Sequence, residues 1–152
     1  MIENQDILFF STMKMTDLPT RKQRIASLLA KKNRVVYIDP PVTMLGKMKT
    51  DYQPSFPDLP PGNGLTTIKL PVLWPFGLTS AGLHTLNELR VAHSLLRWSE
   101  KNHFTPSLLW TYLIDFPGVY EIFSNCTLVY DCVDDHSVYG GLRSKTYTRR
   151  LE

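Results

Sequence analysis

The residues best suited to chemistry lie together near the end of the sequence. The segment LVYDCVDDHSVYGG, residues 128–141, places Asp134 and Asp135 beside His136, just behind a short apolar run. A carboxylate or imidazole held near a hydroxyl group can accept its proton as a general base. For either aspartate taken singly, the N-cap of a following helix is the favoured interpretation, because capping is more common than catalysis. Asp131 is interpreted as the last residue of a buried strand and is given no chemical role.

Other polar residues follow other apolar runs and add binding groups to the same prediction. Carboxylates accept hydrogen bonds from sugar hydroxyls, and aromatic rings stack on sugar faces. Arg21 begins the first helical pattern with Lys22 and Arg24, where cations would meet phosphates or an anionic acceptor, or would simply form a solvated basic face. The predicted acceptor- or donor-binding residues are Ser11, Thr12, Met13, Lys14, Arg21, Tyr112 and Asp115.

The elements that must position these residues alternate between strands and helices. Four of the five predicted strands are almost continuously apolar, which is typical of strands covered by helices on both faces. The strands are predicted at residues 7–11, 34–38, 65–70, 107–112 and 127–131. Alternating strands and helices indicate an α/β fold, a Rossmann-like, doubly wound and mostly parallel sheet of at least five strands. In such sheets ligands bind at the carboxyl ends of the strands, where the polar residues above would gather.

Two helical patterns separate these strands, and a third opens at Pro117, a residue favoured in the first turn of a helix. In the first pattern Ile25, Leu28 and Leu29 are predicted to face the core. The longer second pattern spans residues 81–102. Its predicted apolar face consists of Leu86, Leu89, His93 and Leu96. Further apolar residues widen this face: Val91, Ala92, Leu95 and Trp98. His93 is interpreted as a core histidine.

Two irregular segments leave the ends of strands. Residues 39–64 contain six of the 11 prolines, and a loop of this length in a compact domain is usually functional or disordered. The pieces MLGKMK (44–49) and LWPFGL (73–78) mix large apolar residues with lysines. They predict either a patch that touches an anionic membrane or apolar side chains that fold back onto the sheet, and the sequence favours neither.

Composition excludes several classes of protein. A formal charge of +3 over 152 residues gives no indication of nucleic-acid binding. Cys126 and Cys132 lack the spacing of a zinc site and are predicted to be reduced core residues; no metal and no cofactor are expected. Neither a signal peptide nor an apolar run of about 20 residues is present. GxGxxG, GxxxxGK[ST], HExxH and GxSxG are also missing.

Three stretches carry a resemblance to a known family. These are the segment from ILFFS to KNRVVYIDPP, then LLWTYLIDFPGVYEI, then LVYDCVDDHSVYGG, and together they span nearly the whole chain. They resemble the N-terminal half of bacterial two-lobed (GT-B fold) glycosyltransferases, in particular the branch that builds envelope polysaccharides such as teichuronic acid. Many members of that family carry a glycine pair after the first strand, whereas this chain has STMKM.

The resemblance implies that two lobes bind different substrates. Residues 1–150 would be the acceptor-binding lobe, with residues 151–152 a cloning scar and the donor-binding lobe missing, so that the chain alone is inactive. The implied partners are a nucleotide-sugar donor, a saccharide or lipid-linked acceptor and an anionic membrane surface, with a cytoplasmic location at the inner face of the membrane. Asp134, Asp135 or His136 would position or deprotonate the acceptor hydroxyl. The alternative is a non-catalytic α/β regulatory module that binds a ligand or a partner protein.

Overall fold

The apolar runs form one parallel sheet. A computed structural model describes residues 2–77, 80–113 and 116–132. Its strands are β1 (Asp6–Phe10), β2 (Arg34–Ile38), β3 (Gly64–Ile68), β4 (Leu108–Thr111) and β5 (Thr127–Tyr130). Its helices are α1 (Arg21–Ala30), α2 (Met44–Lys47), α3 (Ala81–Lys101) and α4 (Pro117–Ile122). All four strand pairings are parallel, which confirms the predicted α/β, Rossmann-like sheet.

The central strands are buried on both faces, as their continuous apolar sequences predicted. Residues 7–10 of β1 and 35–38 of β2 have no solvent exposure. Alternate side chains of each strand enter different cores: Leu8 and Phe10 pack with α3 and α4, whereas Ile7 and Phe9 pack with α1. Burial of both faces explains why these strands show no alternation between apolar and polar residues.

The order of the strands decides where a ligand is expected. The sheet runs β3-β2-β1-β4-β5, so the chain moves outward from β1 in one direction and then returns to place β4 on the other side of β1. The connections that leave β1 and β4 therefore diverge. In open α/β sheets such a switch point, at the carboxyl ends of the strands, is the usual position of a ligand.

Helix α1 buries only part of the face that was predicted: Ile25 and Leu29 are partly buried and pack against the core. Its buried residues are Gln23, Ala26 and Ala30, and Leu28 is 62% exposed, so the prediction for Leu28 is wrong. Small alanines let the helix approach the bulky aromatic side chains on this face of the sheet. A search for large apolar residues misses a face built from alanine and one hydrogen-bonded glutamine.

The predicted apolar face of helix α3 was also wrong, at several positions. Val91, Ala92, Leu95 and Trp98 are buried as predicted. Leu86 and Leu89 are about half exposed and His93 is exposed, so the interpretation of His93 as a core histidine is wrong. The residues that are buried instead, near the start of the helix, are polar: His84, Asn87 and Glu88. Asn87 and Glu88 are buried because their side chains bond to the backbone of neighbouring loops.

The proline-rich connection between β2 and β3 is held against the sheet. The Tyr52 hydroxyl donates to the Leu70 carbonyl at 2.8 Å, and the Trp98 indole donates to the Pro57 carbonyl at 2.7 Å. The Asn102 side chain accepts from the Leu59 amide at 2.6 Å. Trp98 and Asn102, at the end of α3, therefore fix a segment that has almost no regular structure of its own.

The two cysteines do not form a disulfide within the described residues, as predicted. Cys126 is partly buried, but Cys132 is exposed, so the prediction of a core position is wrong for Cys132. No helix in the described part of the chain is long and apolar enough to cross a membrane.

Candidate functional site at the switch point

The loops after β1 and β4 are each held by the hydroxyl of a serine or threonine together with the hydroxyl of a tyrosine. We call each arrangement a hydroxyl clamp. After β1, Ser11 Oγ accepts the Met13 amide at 3.1 Å. The hydroxyl of Tyr37 lies 2.6 Å from Ser11 Oγ and 2.8 Å from the Met13 carbonyl. Serine and threonine commonly bond in this way to the backbone two residues further on, which bends the chain into a turn.

The clamp after β4 repeats this arrangement with different residues. Thr111 Oγ1 accepts the Leu113 amide at 2.9 Å, and the Tyr120 hydroxyl lies 2.8 Å from both Thr111 Oγ1 and the Leu113 carbonyl. Phe10 and Thr111 are partners in the sheet, so the two clamps stand side by side at the switch point. Each clamp fixes the direction in which its loop leaves the sheet.

The loop after β1 is fixed at two further points. Asp39, at the end of β2, accepts the Met15 amide at 2.9 Å, and the Gln23 side chain donates to the Lys14 carbonyl at 3.0 Å. Asp39 is 2% exposed, and burial raises the pKa of its carboxyl group, against the hydrogen bond from Met15 and the charges of Lys69 and Lys14. Asp39 therefore positions the loop and is not available to a ligand.

Asp131 is the centre of the polar groups at this edge. Its carboxylate accepts two hydrogen bonds from Arg21 at 3.1 Å each and one from the Tyr112 hydroxyl at 2.5 Å. Lys22 donates to Thr12 Oγ1, and its ammonium group lies 4.9 Å from the centre of the Tyr112 ring. We call these residues the switch-point cluster: Thr12, Arg21, Lys22, Tyr112 and Asp131.

Electrostatics fix the protonation of the two tyrosines at this edge. Burial, followed by the hydrogen bond to Asp131, raises the pKa of Tyr112 to about 12. Burial also raises the pKa of Tyr37 to about 12, against the hydrogen bond with Ser11. Both phenols stay protonated at neutral pH, so Tyr112 can donate to Asp131.

The predicted binding residues divide into buried and exposed groups. Ser11 is fully buried and Tyr112 is 3% exposed, so Tyr112 offers no ring face to a sugar and instead positions Asp131. The backbone amide and carbonyl of Met13 are bound within the clamp. Lys14 is exposed and the Arg21 side chain is 61% exposed, so both cations are open to an anionic ligand. Thr12 is partly exposed beside Lys22.

The remaining predicted residues lie outside the described residues. These are Asp134, Asp135 and His136, and also Asp115. Their roles stay predictions.

Several residues of the site were missed at the level of sequence. Asp131 was set aside as the end of a strand, although the end of a parallel strand is where ligand groups are expected. Tyr37 and Tyr120 lie in apolar runs, so nothing local distinguishes their hydroxyls from those of other core tyrosines. Only the pairing of β1 with β4 brings these groups together.

A groove runs beside the switch-point loop. It has a volume of about 460 Å³ and is lined by apolar groups of Met15, Pro19 and Leu28 with Arg24 and Lys31 at its sides. A second, smaller concavity of about 380 Å³ lies near the end of α3 and includes Phe104 and Cys126. It lies at the amino ends of the strands, because Phe104 and Cys126 precede β4 and β5, and it is therefore separate from the switch-point cluster.

A second buried polar pair lies between α3 and α4. Glu88 accepts the Gly118 amide at 2.7 Å, and its other oxygen lies 3.6 Å from His84 Nε2. A Cβ atom at position 118 would lie 3.0 Å from the Glu88 carboxylate, so glycine permits the close approach. Glu88 thus satisfies a backbone donor in the first turn of α4, a structural function that requires no ligand.

The described ranges contain no group of three or more His, Cys, Asp and Glu side chains that could hold a metal ion. No protein-family model, no curated protein and no solved structure matches this chain. Function must therefore be inferred from the geometry of the switch point together with the sequence.

Proposed function

We propose that this chain is the acceptor-binding lobe of a two-lobed glycosyltransferase, which transfers a sugar from a nucleotide-sugar donor to a cell-envelope polysaccharide or lipid-linked acceptor. The observation that supports it is the switch-point cluster. A carboxylate, a hydroxyl and two cations meet at the carboxyl edge of a parallel sheet, where open α/β folds bind ligands.

The charges of the cluster favour an anionic ligand. Within the cluster, Arg21 and Lys22 supply two positive charges and Asp131 neutralises one. Beside it the exposed Lys14 adds a positive charge and Asp17, which accepts the Lys14 amide at 3.0 Å, adds a negative one. Arginine and lysine bind phosphate or carboxylate groups through charge-assisted hydrogen bonds. A uronic-acid unit of an acceptor or the diphosphate of a lipid-linked acceptor has this chemistry.

The proton acceptor is assigned to a different group from Asp131. Because Asp131 accepts hydrogen bonds from Arg21 and Tyr112, it holds both side chains in place. Asp134, Asp135 and His136 follow it by three to five residues in the sequence and carry the general-base role in this proposal. Asp115 is retained as a residue that binds the acceptor or donor.

Binding is tested by titrating the isotope-labelled chain with a uronic-acid disaccharide and with inorganic pyrophosphate, followed by amide chemical shifts. We expect shifts at Met13, Lys14 and Asp131, and a loss of affinity of about tenfold in Arg21→Ala, because a charge-assisted hydrogen bond contributes about 1.5–3 kcal/mol. Arg90→Ala, an exposed arginine on α3, is the matched control. Shifts spread over the whole surface, or equal affinity in both variants, would contradict binding at the switch point.

Catalysis is tested in the full-length protein by replacing Asp134 and Asp135 singly with Asn, and His136 with Ala. The residue that acts as general base should lower kcat by about 10²–10⁴-fold when replaced. Glu121→Gln, an exposed carboxylate on α4, is the control. If all three variants keep parental transfer activity, the assignment of the base is wrong. A gene product without a second Rossmann-like lobe would instead support the alternative of a non-catalytic binding module.

A further inference from the structure

Two irregular segments meet at the outer part of the sheet. Residues 40–50 follow β2 and contain α2, and residues 69–77 follow β3. Thr43 and Leu73 form a parallel bridge, in which the Met44 amide donates to the Leu73 carbonyl and the Leu73 amide donates to the Val42 carbonyl, both at 2.9 Å. Both segments leave the carboxyl ends of their strands, so they lie at the same edge as the switch-point cluster.

The joined segments present large apolar side chains to solvent. Leu73 is buried and anchors the pair, but the residues on either side of the bridge point outward. The exposed fractions are 46% for Met44, 51% for Leu45, 84% for Met48, 46% for Trp74 and 64% for Phe76. We call these five residues the apolar patch. These five side chains do not fold back onto the sheet, whereas Leu73 does.

Phe76 is held outward at a conformational cost. Its φ angle is +64°, in the left-handed region that bulky residues rarely adopt. Strained residues of this kind persist where surrounding structure fixes them, and they are concentrated at functional positions. The Ser80 amide donates to the Phe76 carbonyl at 3.0 Å. Two residues earlier, the Asn87 side chain accepts the Trp74 amide at 2.8 Å and donates to the Trp74 carbonyl at 3.1 Å.

The charge around the patch is mainly positive, with the exposed Asp51 as one negative charge directly after residues 40–50. Lys47 and Lys49 lie among its apolar residues and are exposed. Residues 40–50 and 70–77 contain no aspartate or glutamate. A two-fold interface with a second copy of the chain would place this mainly positive surface on both sides of the contact. An anionic lipid surface instead complements both the lysines and the exposed aromatic residues.

We propose that the apolar patch docks this protein on an anionic lipid bilayer, with Trp74, Phe76 and Met48 inserted at the headgroup level and Lys47 and Lys49 against the lipid phosphates. This orientation turns the carboxyl edge of the sheet toward the membrane. The inference goes beyond the proposed sugar transfer and does not depend on it, since it follows from the exposed surface alone.

The experiment is cosedimentation of the 152-residue chain with vesicles of equal parts phosphatidylcholine and phosphatidylglycerol, and with vesicles of phosphatidylcholine only. We expect binding to the anionic vesicles, weakening as salt is raised. The emission of Trp74 should shift to shorter wavelength, because the other two tryptophans are 4% exposed or partly buried.

Variants separate the contribution of the apolar side chains to vesicle binding from that of the lysine charges. Met48→Ser and Phe76→Asn should each lower the partition coefficient by about tenfold or more, since each removes one inserted apolar side chain. Asparagine is chosen at position 76 because it tolerates a positive φ. Lys47→Gln and Lys49→Gln should each lower it about fivefold on anionic vesicles.

Matched controls use the far side of the molecule. Ile122→Ser removes an apolar side chain that is 42% exposed on α4, and Lys31→Gln removes an exposed charge at the end of α1; neither should change binding. Absence of vesicle binding, or equal effects of the control and patch variants, would overturn the proposal. So would concentration-dependent dimerisation without lipid that Met48→Ser abolishes, since that outcome assigns the patch to a second copy of the chain. Vesicle binding involves no sugar, so its failure would leave the glycosyltransferase proposal standing.

Discussion

At the scale of single residues, the switch point is organised by hydroxyl groups and carboxylates that are themselves inaccessible. Ser11 and Thr111 each bind the amide two residues ahead, and a buried tyrosine completes each clamp. Asp39 secures the same loop from β2. These groups set the positions of exposed residues such as Lys14 and Arg21. The sequence predicted that polar residues near strand ends touch the ligand, and the structure shows that Ser11 and Tyr112 among them are buried.

The buried charge of Asp39 predicts a pH dependence of stability. Its folded pKa is raised by burial above the value of 3.8 that applies to the unfolded chain. As pH rises from about 4, the unfolded chain releases this proton first, so the folded state loses stability until the raised pKa is passed. Asp39→Asn keeps an oxygen for the Met15 amide and removes the charge.

We therefore expect the free energy of unfolding of Asp39→Asn, relative to the parent protein, to increase between about pH 4 and the raised pKa and then stay constant. Urea unfolding at a series of pH values measures this difference in the free energy of unfolding. Asp58→Asn, at an exposed carboxylate paired with Lys101, serves as control. A difference between Asp39→Asn and parent that stays flat or falls with pH would refute the burial of a costly charge at this position.

At the scale of elements, α3 is the element on which the irregular parts of the chain depend. Near its start Asn87 holds the segment around Trp74, and Glu88 binds the first turn of α4. Near its end Trp98 and Asn102 hold the proline-rich connection. These polar contacts explain why its buried face contains His84, Asn87 and Glu88, which hydrophobic periodicity does not count.

Asn102→Ala should loosen the connection between β2 and β3. Loss of the side chain leaves the Leu59 amide and the Trp98 carbonyl without these bonds, which should cost about 1–3 kcal/mol. We expect faster limited proteolysis within residues 50–62 than in the parent protein. Lys101→Ala is the matched control, since its ion pair with Asp58 is largely exposed and contributes less than about 1 kcal/mol. Equal cleavage rates in both variants would show that Asn102 does not hold this segment.

At the scale of the whole molecule, the buried core and the exposed polar groups occupy different parts of the sheet. The centre is dry: Phe9 stacks on Tyr37 with ring centres 5.4 Å apart, and also packs against Trp110 and Tyr112. The amino edge carries the bidentate pair of Arg34 and Asp6, which ties β2 to β1. The carboxyl edge carries the switch-point cluster and the apolar patch.

Substitutions in the centre and at the edge of the sheet should therefore differ in cost. Leu8→Ala, in the fully buried β1, should lower the free energy of unfolding by about 2–5 kcal/mol. Leu128→Ala, on the edge strand β5 where the side chain is 43% exposed, should cost less than half as much. Urea denaturation followed by circular dichroism measures both. Similar losses in the two variants would mean that the edge strand is more deeply packed than its exposure indicates.

The sequence by itself determined the class of fold and the positions of the strands. Continuous apolar runs between helical patterns are local signals, so each of the five strands was predicted within two residues of its observed ends. The start of α4 at Pro117 was also predicted correctly, because proline is favoured in the first turn of a helix. The sequence also indicated which loops leave the carboxyl ends of strands.

Only the tertiary structure decided which residues meet. Arg21 and Asp131 are 110 residues apart, and the order of the strands brings them together. The burial of His84 and Glu88 and the exposure of Leu28 and Met48 depend on what packs against each helix, which no local pattern contains. Periodicity reports the average preference of side chains for a face, whereas the contacts of a particular face are set by elements distant in the chain.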